Sequence, residues 1–163
     1  MKYIITIIFS LFSIISYSQK KINDGLYVVD KLEIKKGYKE KSKQKQIVHF
    51  NPQFTLENPD EYGPIVIWKN DYVPLDLSKE PETQQQTDEK KLLLLKLTDK
   101  ASEKLKAFST KNLMKHVAII VNGEVLTVHK IKEPLTSGLM QITRCNDNAC
   151  EQLYKVLKDN VKE

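Results

Sequence analysis

The Asn122-Gly123 dipeptide constrains the fold of this chain more than any other feature of its sequence. It separates two β-rich runs, residues 116–121 and 124–131. Asn-Gly between two such runs is the strongest short-range signal for a hairpin, because a type I′ turn needs positive φ at both central residues. The sequence therefore predicts an antiparallel hairpin with a two-residue turn.

The residues before the hairpin predict a strand followed by a helix. Leu92 to Leu97 is apolar at nearly every position, which is typical of a strand buried on both faces. Thr98 is a good N-cap, since its side chain can accept a hydrogen bond from the first helical turn. Three apolar residues then fall on one helical face: Ala101, Leu105 and Phe108.

The residues after the hairpin predict a further strand, at 140–144, and a last helix. The inner face of that helix is marked by Ala149, Leu153 and Val156. The predicted order within residues 91–163 is β-α-β-β-β-α. This order predicts an α+β domain with two helices on a mainly antiparallel sheet.

Residues 19–77 predict a β-rich N-terminal region. Its apolar runs predict four short strands, at 26–34, 47–50, 64–68 and 73–77. Residues 78–90 have no apolar residue and predict a polar linker to the C-terminal domain.

Residues 1–18 have the three parts of a secretory signal peptide. Lys2 supplies the positive charge, a short apolar run follows, and the small residues Ser16 and Ser18 occupy the cleavage positions before Gln19. An uncleaved N-terminal anchor is the alternative, because an Ala-x-Ala site is missing. The sequence therefore predicts export to the periplasm or the extracellular space, with a soluble mature chain.

The basic residues are almost all lysines, which argues against a nucleic-acid partner. Of 26 basic residues only Arg144 is an arginine, whereas phosphate recognition usually uses the two-pronged hydrogen bonding of arginine. The formal charge of +5 is also unevenly divided: residues 31–45 carry +5, residues 57–89 carry −7 and residues 90–163 carry +6. The chain is thus a charge mosaic rather than a uniformly basic protein.

The lysine run at 31–45 has two interpretations. It could dock on an anionic surface of the cell envelope, such as lipid or polysaccharide. The favoured interpretation is a solvated loop between two strands, because Tyr38 is the single aromatic residue within it. Binding to an anionic surface is therefore kept as the alternative function.

The residues around the hairpin follow the pattern of a known family. The strand at 118–121 leads into Asn122-Gly123, and the pattern continues with Val125-Leu126, Ile131, Pro134-Leu135, Gly138 and Gln141-Ile142. This stretch resembles the head subdomain of the first periplasmic domain of SecD/SecDF. It departs from the family at His129, where a proline is usual, and at Arg144, where a glycine is usual.

The resemblance implies an extracytoplasmic module that contacts unfolded or emerging polypeptide. It extends over roughly residues 90–160 and rests on a turn, core positions and two bends, so it marks a fold better than an activity. The four residues that define the turn and the bends are Asn122, Gly123, Pro134 and Gly138. Translocases of this family carry transmembrane helices that use a proton gradient, and the resemblance does not extend to that motor.

Cys145 and Cys150 are the two cysteines of the chain. If Asn146 caps the last helix, they occupy the N′ and N4 positions, which normally touch in a hydrophobic staple. Export and an even cysteine count favour a disulfide between them. Two unpaired staple thiols are the alternative, and a redox function is disfavoured because the spacing is not C-x-x-C.

A two-residue turn at 122–123 predicts that paired residues of the hairpin have numbers adding up to 245, so His116 should face His129. Two imidazoles could hold a transition metal, but no third ligand is evident, and a stacked, partly exposed pair is the favoured interpretation. The same register predicts a core face on the other side of the hairpin: Val117, Ile119, Val121, Leu126 and Val128.

Enzyme signatures are missing from the sequence, which has no nucleophile elbow, zinc-protease motif, Walker loop or dinucleotide fingerprint. Tyr62, Trp68 and Tyr72 are predicted to be core or core-edge residues, with an aromatic glycan or peptide platform as the alternative. His49 is predicted to be structural or exposed.

Together these features predict a non-enzymatic, exported binding or accessory module without a cofactor. Its predicted partner is a protein or peptide. That partner would add as a strand at an exposed sheet edge or dock at the 131–139 bend.

Overall fold

The computed structural model of the chain describes residues 22–54, 62–87, 90–145 and 147–162. The predicted signal peptide, its cleavage position before Gln19 and the predicted helix cap Asn146 lie outside the described residues. The elements of the described residues are, in order, β1 (Gly25–Lys31), β2 (Lys45–Val48), β3 (Ile65–Pro74), β4 (Glu82–Thr87), β5 (Lys90–Lys96), α1 (Asp99–Lys111), β6 (His116–Val121), β7 (Glu124–Lys130), β8 (Leu139–Cys145) and α2 (Asp147–Lys158).

These elements confirm the predicted α+β class and the predicted order β-α-β-β-β-α from β5 to α2. The predicted N-cap is also present, since the Thr98 side chain accepts a hydrogen bond from the Ala101 N–H (3.3 Å). Ala101, Leu105 and Phe108 are buried on the inner face of α1, as the spacing predicts. A fully buried leucine such as Leu105 contributes about 2 kcal/mol through loss of apolar surface to water.

The described strands form two sheets rather than one. The strand order is β2-β3-β1-β6-β7 in the larger sheet and β4-β5-β8 in the smaller sheet. Neighbouring strands are antiparallel in both sheets. Because β1 lies between β3 and β6, the larger sheet combines strands of the predicted N-terminal region with the hairpin. The long connection from β7 to β8 allows β8 to leave the hairpin and pair with β5 instead.

The larger sheet curls until its two ends meet. The Asn51 N–H donates to the Val125 carbonyl (2.9 Å), and the Val125 N–H donates to the His49 carbonyl (2.8 Å). The segment after β2 therefore covers the start of the outer edge of β7. A small core lies inside the curl and includes Tyr27, Ile67 and Ile120.

The main core lies between the two sheets and the two helices. It joins the outer face of the curled sheet to the inner face of the smaller sheet, α1 and α2. The smaller sheet contributes Leu93, Leu95 and Leu97, each at most 2% exposed, whereas Lys96 between them is exposed. On the other side of the strand Leu92 is also buried and Leu94 is half-buried, so burial on both faces, as predicted, ends only at Lys96.

Two of the predicted elements differ in the structure. Residues 78–90, predicted as a polar linker, contain β4. The backbone of this segment forms hydrogen bonds with β5, although its sequence has no apolar pattern that would indicate a strand. The predicted strands at 64–68 and 73–77 are one strand, β3. Irregularities in the β1–β3 pairing between Tyr27 and Lys31 accommodate the polar residues in its middle.

The hairpin has the predicted turn but not the predicted register. Asn122 and Gly123 have φ values of 53° and 82°, and Val121 pairs with Glu124. An irregularity between Ile119 and Ile120 then inserts one extra residue into β7, as a β-bulge does, and shifts all later pairs by one.

The shift removes the predicted histidine pair. His116 lies opposite Lys130 and His129 lies opposite Val117, so the two imidazoles are on opposite faces of the sheet. Both faces of β6 are buried, since Val117 and Ile119 belong to the main core and Ala118 and Ile120 to the smaller one.

Candidate functional site

A groove of about 370 Å³ opens between β7 and β8, which belong to different sheets. Its apolar lining comes from the core-facing sides of both sheets and includes Leu26, Val117, Ile119, Ile131 and Met140. Its rim is formed by His129 and the β7–β8 loop, together with the first residues of β8. The groove is therefore an opening into the main core, bordered by a strand on each side.

The β7–β8 loop, residues 131–138, is fixed against α1 at its start and in its middle. Ile131 is held by the chain just after α1: its N–H donates to the Lys115 carbonyl (3.0 Å), and its carbonyl accepts from the Met114 N–H (2.8 Å). Further along, the Leu135 N–H donates to Ser109 Oγ (2.8 Å). Ser109 is completely buried, so this contact fixes the loop from inside the protein.

The end of the loop is packed closely on α1. Gly138 is buried with φ 64°, and a Cβ atom at this position would collide with Ser102 Oγ and lie 2.9 Å from Ser102 Cβ. Only glycine combines this backbone conformation with this approach to a helix. Gly138 therefore sets the point at which the chain enters β8 and forms the rim of the groove.

Large apolar side chains are exposed around this loop. Leu139 and Met114 are each 61% exposed, and Leu113 and Leu135 are also exposed. Met114 has φ 65°, an uncommon conformation for a residue other than glycine, asparagine or aspartate. Such outliers concentrate at binding sites, and methionine adapts its shape to varied apolar partners.

The edge of β8 offers unpaired backbone groups to the groove. The Leu97 N–H donates to the Gly138 carbonyl (3.0 Å), so Gly138 faces β5. Along an antiparallel strand, the backbone N–H and C=O groups of successive residues point alternately toward and away from the neighbouring strand. The N–H and C=O of Leu139 and Gln141 therefore face away from β5. The Leu139 N–H has a contact of 3.3 Å to Ser137 Oγ. The Gln141 N–H is the clearest open donor of this edge.

The predicted residues around the groove contribute unequally. His129 lies on the rim, and its Nε2 is 2.8 Å from Thr127 Oγ1. His116 faces the other side of the sheet, and His49 is exposed. No group of three or more His, Cys, Asp or Glu that could hold a metal exists among the described residues.

The two cysteines flank the start of α2. Cys150 is fully buried in the main core. Cys145 ends β8, and its side chain lies outside the described residues. The disulfide between them therefore stays a prediction.

The three aromatic residues occupy separate contacts rather than one platform. Tyr62 meets the Phe50 ring edge-on at 5.2 Å, and Tyr72 stacks on Tyr27 with 4.7 Å between ring centroids. Trp68 packs against the main core and lies 4.1 Å beneath the Lys45 Nζ. Burial raises the pKa of Tyr27 well above its ordinary value, so this phenol stays protonated.

The lysine run is partly engaged within the protein. Lys45 forms an ion pair with Asp30 (2.9 Å), and Lys31 lies over the Tyr38 ring (5.5 Å). These contacts tie both ends of the run to β1, β3 and the loop itself. The docking of this run on lipid or polysaccharide receives no support from the fold.

A second, polar cleft of about 690 Å³ lies beside the start of β1. Asp24 organises it by accepting hydrogen bonds from the Asn122 N–H (2.8 Å) and the Asn160 side chain (3.0 Å). These bonds connect the hairpin turn to the end of α2. The carboxylate of Asp24 is thus occupied in holding elements together.

A contact between α2 and the chain before β4 perturbs three ionisable groups. The Tyr154 hydroxyl donates to Glu80 (2.6 Å), and Lys158 approaches the same carboxylate (3.2 Å). The hydrogen bond from Tyr154 lowers the pKa of Glu80, and the Glu80 carboxylate raises the pKa of both Tyr154 and Lys158. This contact fastens the chain before β4 to α2, and none of its three residues lines the groove.

The sequence model of one protein family, described as the SecDF P1 head subdomain, matches residues 76–160, which is just over half of the chain. The chain belongs to the SecDF P1 head family. The match includes both borders of the groove, because β7, the loop and β8 all lie within it. The family resemblance noted from the motif residues between 118 and 142 is thereby confirmed.

Solved structures of SecDF also match the chain. A crystal structure of SecDF in a super-membrane-facing form matches 85% of the chain at 17% identity, with a TM-score of 0.51. A structure of SecDF, described as a membrane component that enhances protein export, matches 83% at 18% identity, with a TM-score of 0.49. The chain spans 18% and 62%, respectively, of the lengths of these two structures. No curated protein matches the chain.

Among the described residues of this SecDF head family member, none of the helices is long and apolar enough to cross a membrane.

The sequence did not indicate Met114 and Ser109, whereas Leu139 lies in the 131–139 bend that it predicted as a docking place. Leu113-Met114 follows directly after the end of α1, and two exposed apolar residues at a helix end are a usable signal. The role of Ser109 has no sequence signal, because it depends on the loop reaching α1.

Proposed function

We propose that this chain is an exported, non-enzymatic binding module that holds extended polypeptide segments in the groove between β7 and β8. The observation that carries the proposal is the open apolar edge of β8 beside that groove. An edge strand presents a row of unpaired backbone groups that another chain can extend. Peptide capture by strand addition uses such an edge for affinity and adjacent pockets for side chains.

The edges of β4 and β2 have protections that the first half of β8 lacks, since β8 pairs regularly with β5 from Leu139 to Ile142. β4 is polar, carries the exposed Glu82 and has an irregular pairing at Gln85. β2 is four residues long, and the chain after it covers the start of β7. Charged residues, irregular pairing and short length are the usual protections of edge strands, whereas β8 begins with the exposed Leu139.

The family supports a polypeptide as the ligand. SecDF is described as a membrane component that enhances protein export, and export requires contact with chains that are not yet folded. An extended, unfolded segment has the free backbone groups and alternating side chains that an open edge and an apolar groove can bind. Export of the chain itself, through the predicted signal peptide, would place it where such segments emerge.

Two proline variants of the mature chain test this mode of binding. In Gln141→Pro the outward N–H of β8 is lost, and proline is tolerated in an edge strand at such a position. Thr83→Pro is the matched control, because Thr83 pairs with Leu93, whose backbone groups face β8, so the Thr83 groups face solvent from β4. Each variant thus removes one outward N–H from an edge of the same sheet.

The probe is a fluorescent, unstructured peptide with valine or leucine at alternate positions, followed by anisotropy. We expect Gln141→Pro to weaken binding about tenfold or more, since it removes a main-chain hydrogen bond and obstructs the strand beside it. Thr83→Pro should bind like the parent chain. Circular dichroism checks that both variants are folded. Equal affinity of all three proteins, or equal loss in both variants, would contradict strand addition at β8.

A further inference from the structure

Cationic residues line one border of the groove, and a further lysine lies beside the other. Lys130 and Lys132 line it on the side of β7, where Glu133 is the acidic residue among its lining. On the other border, Leu139 pairs with Lys96 of β5, so the Lys96 side chain stands beside Leu139 on the solvent-facing side of the sheet. The charged residues that line the groove, two lysines and one glutamate, therefore carry a net positive charge.

These lysines are available for a ligand. Lys96, Lys130 and Lys132 are all exposed, and among the described residues no ion pair is formed by any of them. A peptide added along β8 would run between Lys96 of β5 on one side and Lys130 of β7 with Lys132 of the β7–β8 loop on the other. Its flanking residues would then lie within the field of both groups.

We infer that the groove prefers extended apolar segments flanked by acidic residues over the same segments flanked by basic residues. This preference rests on the proposed function, because it concerns the ligand of that same groove. Rim charges act mainly on encounter rate and on discrimination between partners, and their effect falls with salt. Since each exposed pair contributes little, we expect a preference of about three- to tenfold at low ionic strength.

The experiment uses two fluorescent peptides with the same alternating apolar centre, one flanked by aspartates and the other by lysines. Their affinities are measured by anisotropy for three forms of the mature chain, at low salt and at about 0.2 M salt, where screening is strong. The first form is the parent, the second is Lys130→Gln with Lys132→Gln, and the third is Lys41→Gln with Lys43→Gln. The third form is the matched control, because it removes the same charge from exposed lysines of the 31–45 loop.

The parent chain should bind the acidic peptide about three- to tenfold more tightly at low salt, and the difference should shrink at high salt. The variant at 130 and 132 should lose most of the preference, whereas the control variant should keep it. If both peptides bind the parent equally, the charge preference is wrong while polypeptide binding stands. If neither peptide binds, the proposed function is wrong as well. Loss of the preference in both variants would show an effect of net charge rather than of the groove, and would overturn the inference.

Discussion

Replacing Gly138 with alanine is the substitution that most directly tests how the groove is held in place. The residue has φ 64° and is buried against Ser102 of α1. Two separate costs are expected from the added methyl group. One is conformational, because an L-residue is disfavoured at positive φ, and the other is steric, because the methyl group meets the helix.

Both costs can be estimated from the structure. Positive φ costs about 1–2 kcal/mol for a residue with a Cβ. Overpacking against a well-packed helix adds about 1–3 kcal/mol. We therefore expect Gly138→Ala to lower the free energy of unfolding by about 2–5 kcal/mol, a large part of the stability of a domain of this size.

Two further variants separate the costs. Gly123→Ala is the control for conformation alone, because Gly123 has φ 82° and no atom within 4 Å of the added Cβ, so it should cost about 1–2 kcal/mol. Ser102→Gly removes the side-chain atoms that the methyl group added at position 138 would meet, and leaves the Ser102 Cα at 3.9 Å. Alone, it should cost about 0.5 kcal/mol through reduced helix propensity.

The assay is urea unfolding of the mature chain, followed by the fluorescence of Trp68 and by far-ultraviolet circular dichroism. The double variant should recover the steric part, giving a coupling energy of about 1–3 kcal/mol between the two positions. Unchanged m-values would show that the variants alter stability rather than the extent of unfolding. Strictly additive costs, or a Gly138→Ala cost no larger than that of Gly123→Ala, would refute the close packing of the loop on α1.

Two other predictions concern covalent structure and pH. The intact mass of the exported protein should correspond to a chain that begins at Gln19 and should lie two hydrogens below the mass of the reduced form. Reduction of the disulfide should lower the free energy of unfolding by about 2 kcal/mol, since the loop that it closes is short. A retained leader or two free thiols would contradict these expectations. Because the pKa of Glu80 is lowered by its bond from Tyr154 and that of Tyr154 is raised, the contact should stabilise the fold between about pH 5 and 10. It should be lost as the pH falls through the folded pKa of Glu80, so the stability difference between the parent and Tyr154→Phe should vanish in acid; a difference that persists at low pH would exclude this contact as its source.

Local signals predicted the parts of the fold that depend on few residues. The Asn122-Gly123 turn and the cap at Thr98 each arise from interactions within a few positions, so the sequence is sufficient to indicate them. The bulge in β7 could not be predicted in the same way, since every residue around Leu126 suits a regular strand. One inserted residue was enough to separate His116 from His129.

Non-local pairing explains the remaining differences. β4 has a polar sequence that indicates a linker, and it becomes a strand because β5 offers a partner along its whole length. The groove depends on the same kind of information, since β7 and β8 belong to different sheets. The residues that line the groove could therefore be identified from the structure but not from the predicted order of strands and helices.

The geometry of the groove also determines what kind of binding to expect. Its loop is held by the buried Ser109 and by Gly138, so the protein has little to order when a ligand arrives, and the entropic cost falls on the unfolded segment. The outward backbone groups of Leu139 and Gln141, apart from the Leu139 N–H that already donates to Ser137 Oγ, contribute about 1 kcal/mol per hydrogen bond formed. Ordering a disordered segment costs about 2–5 kcal/mol. The apolar contacts of the groove must supply the remainder. This balance favours weak and rapidly reversible binding, which suits a module that must release each segment so that the bound chain can continue to move and fold.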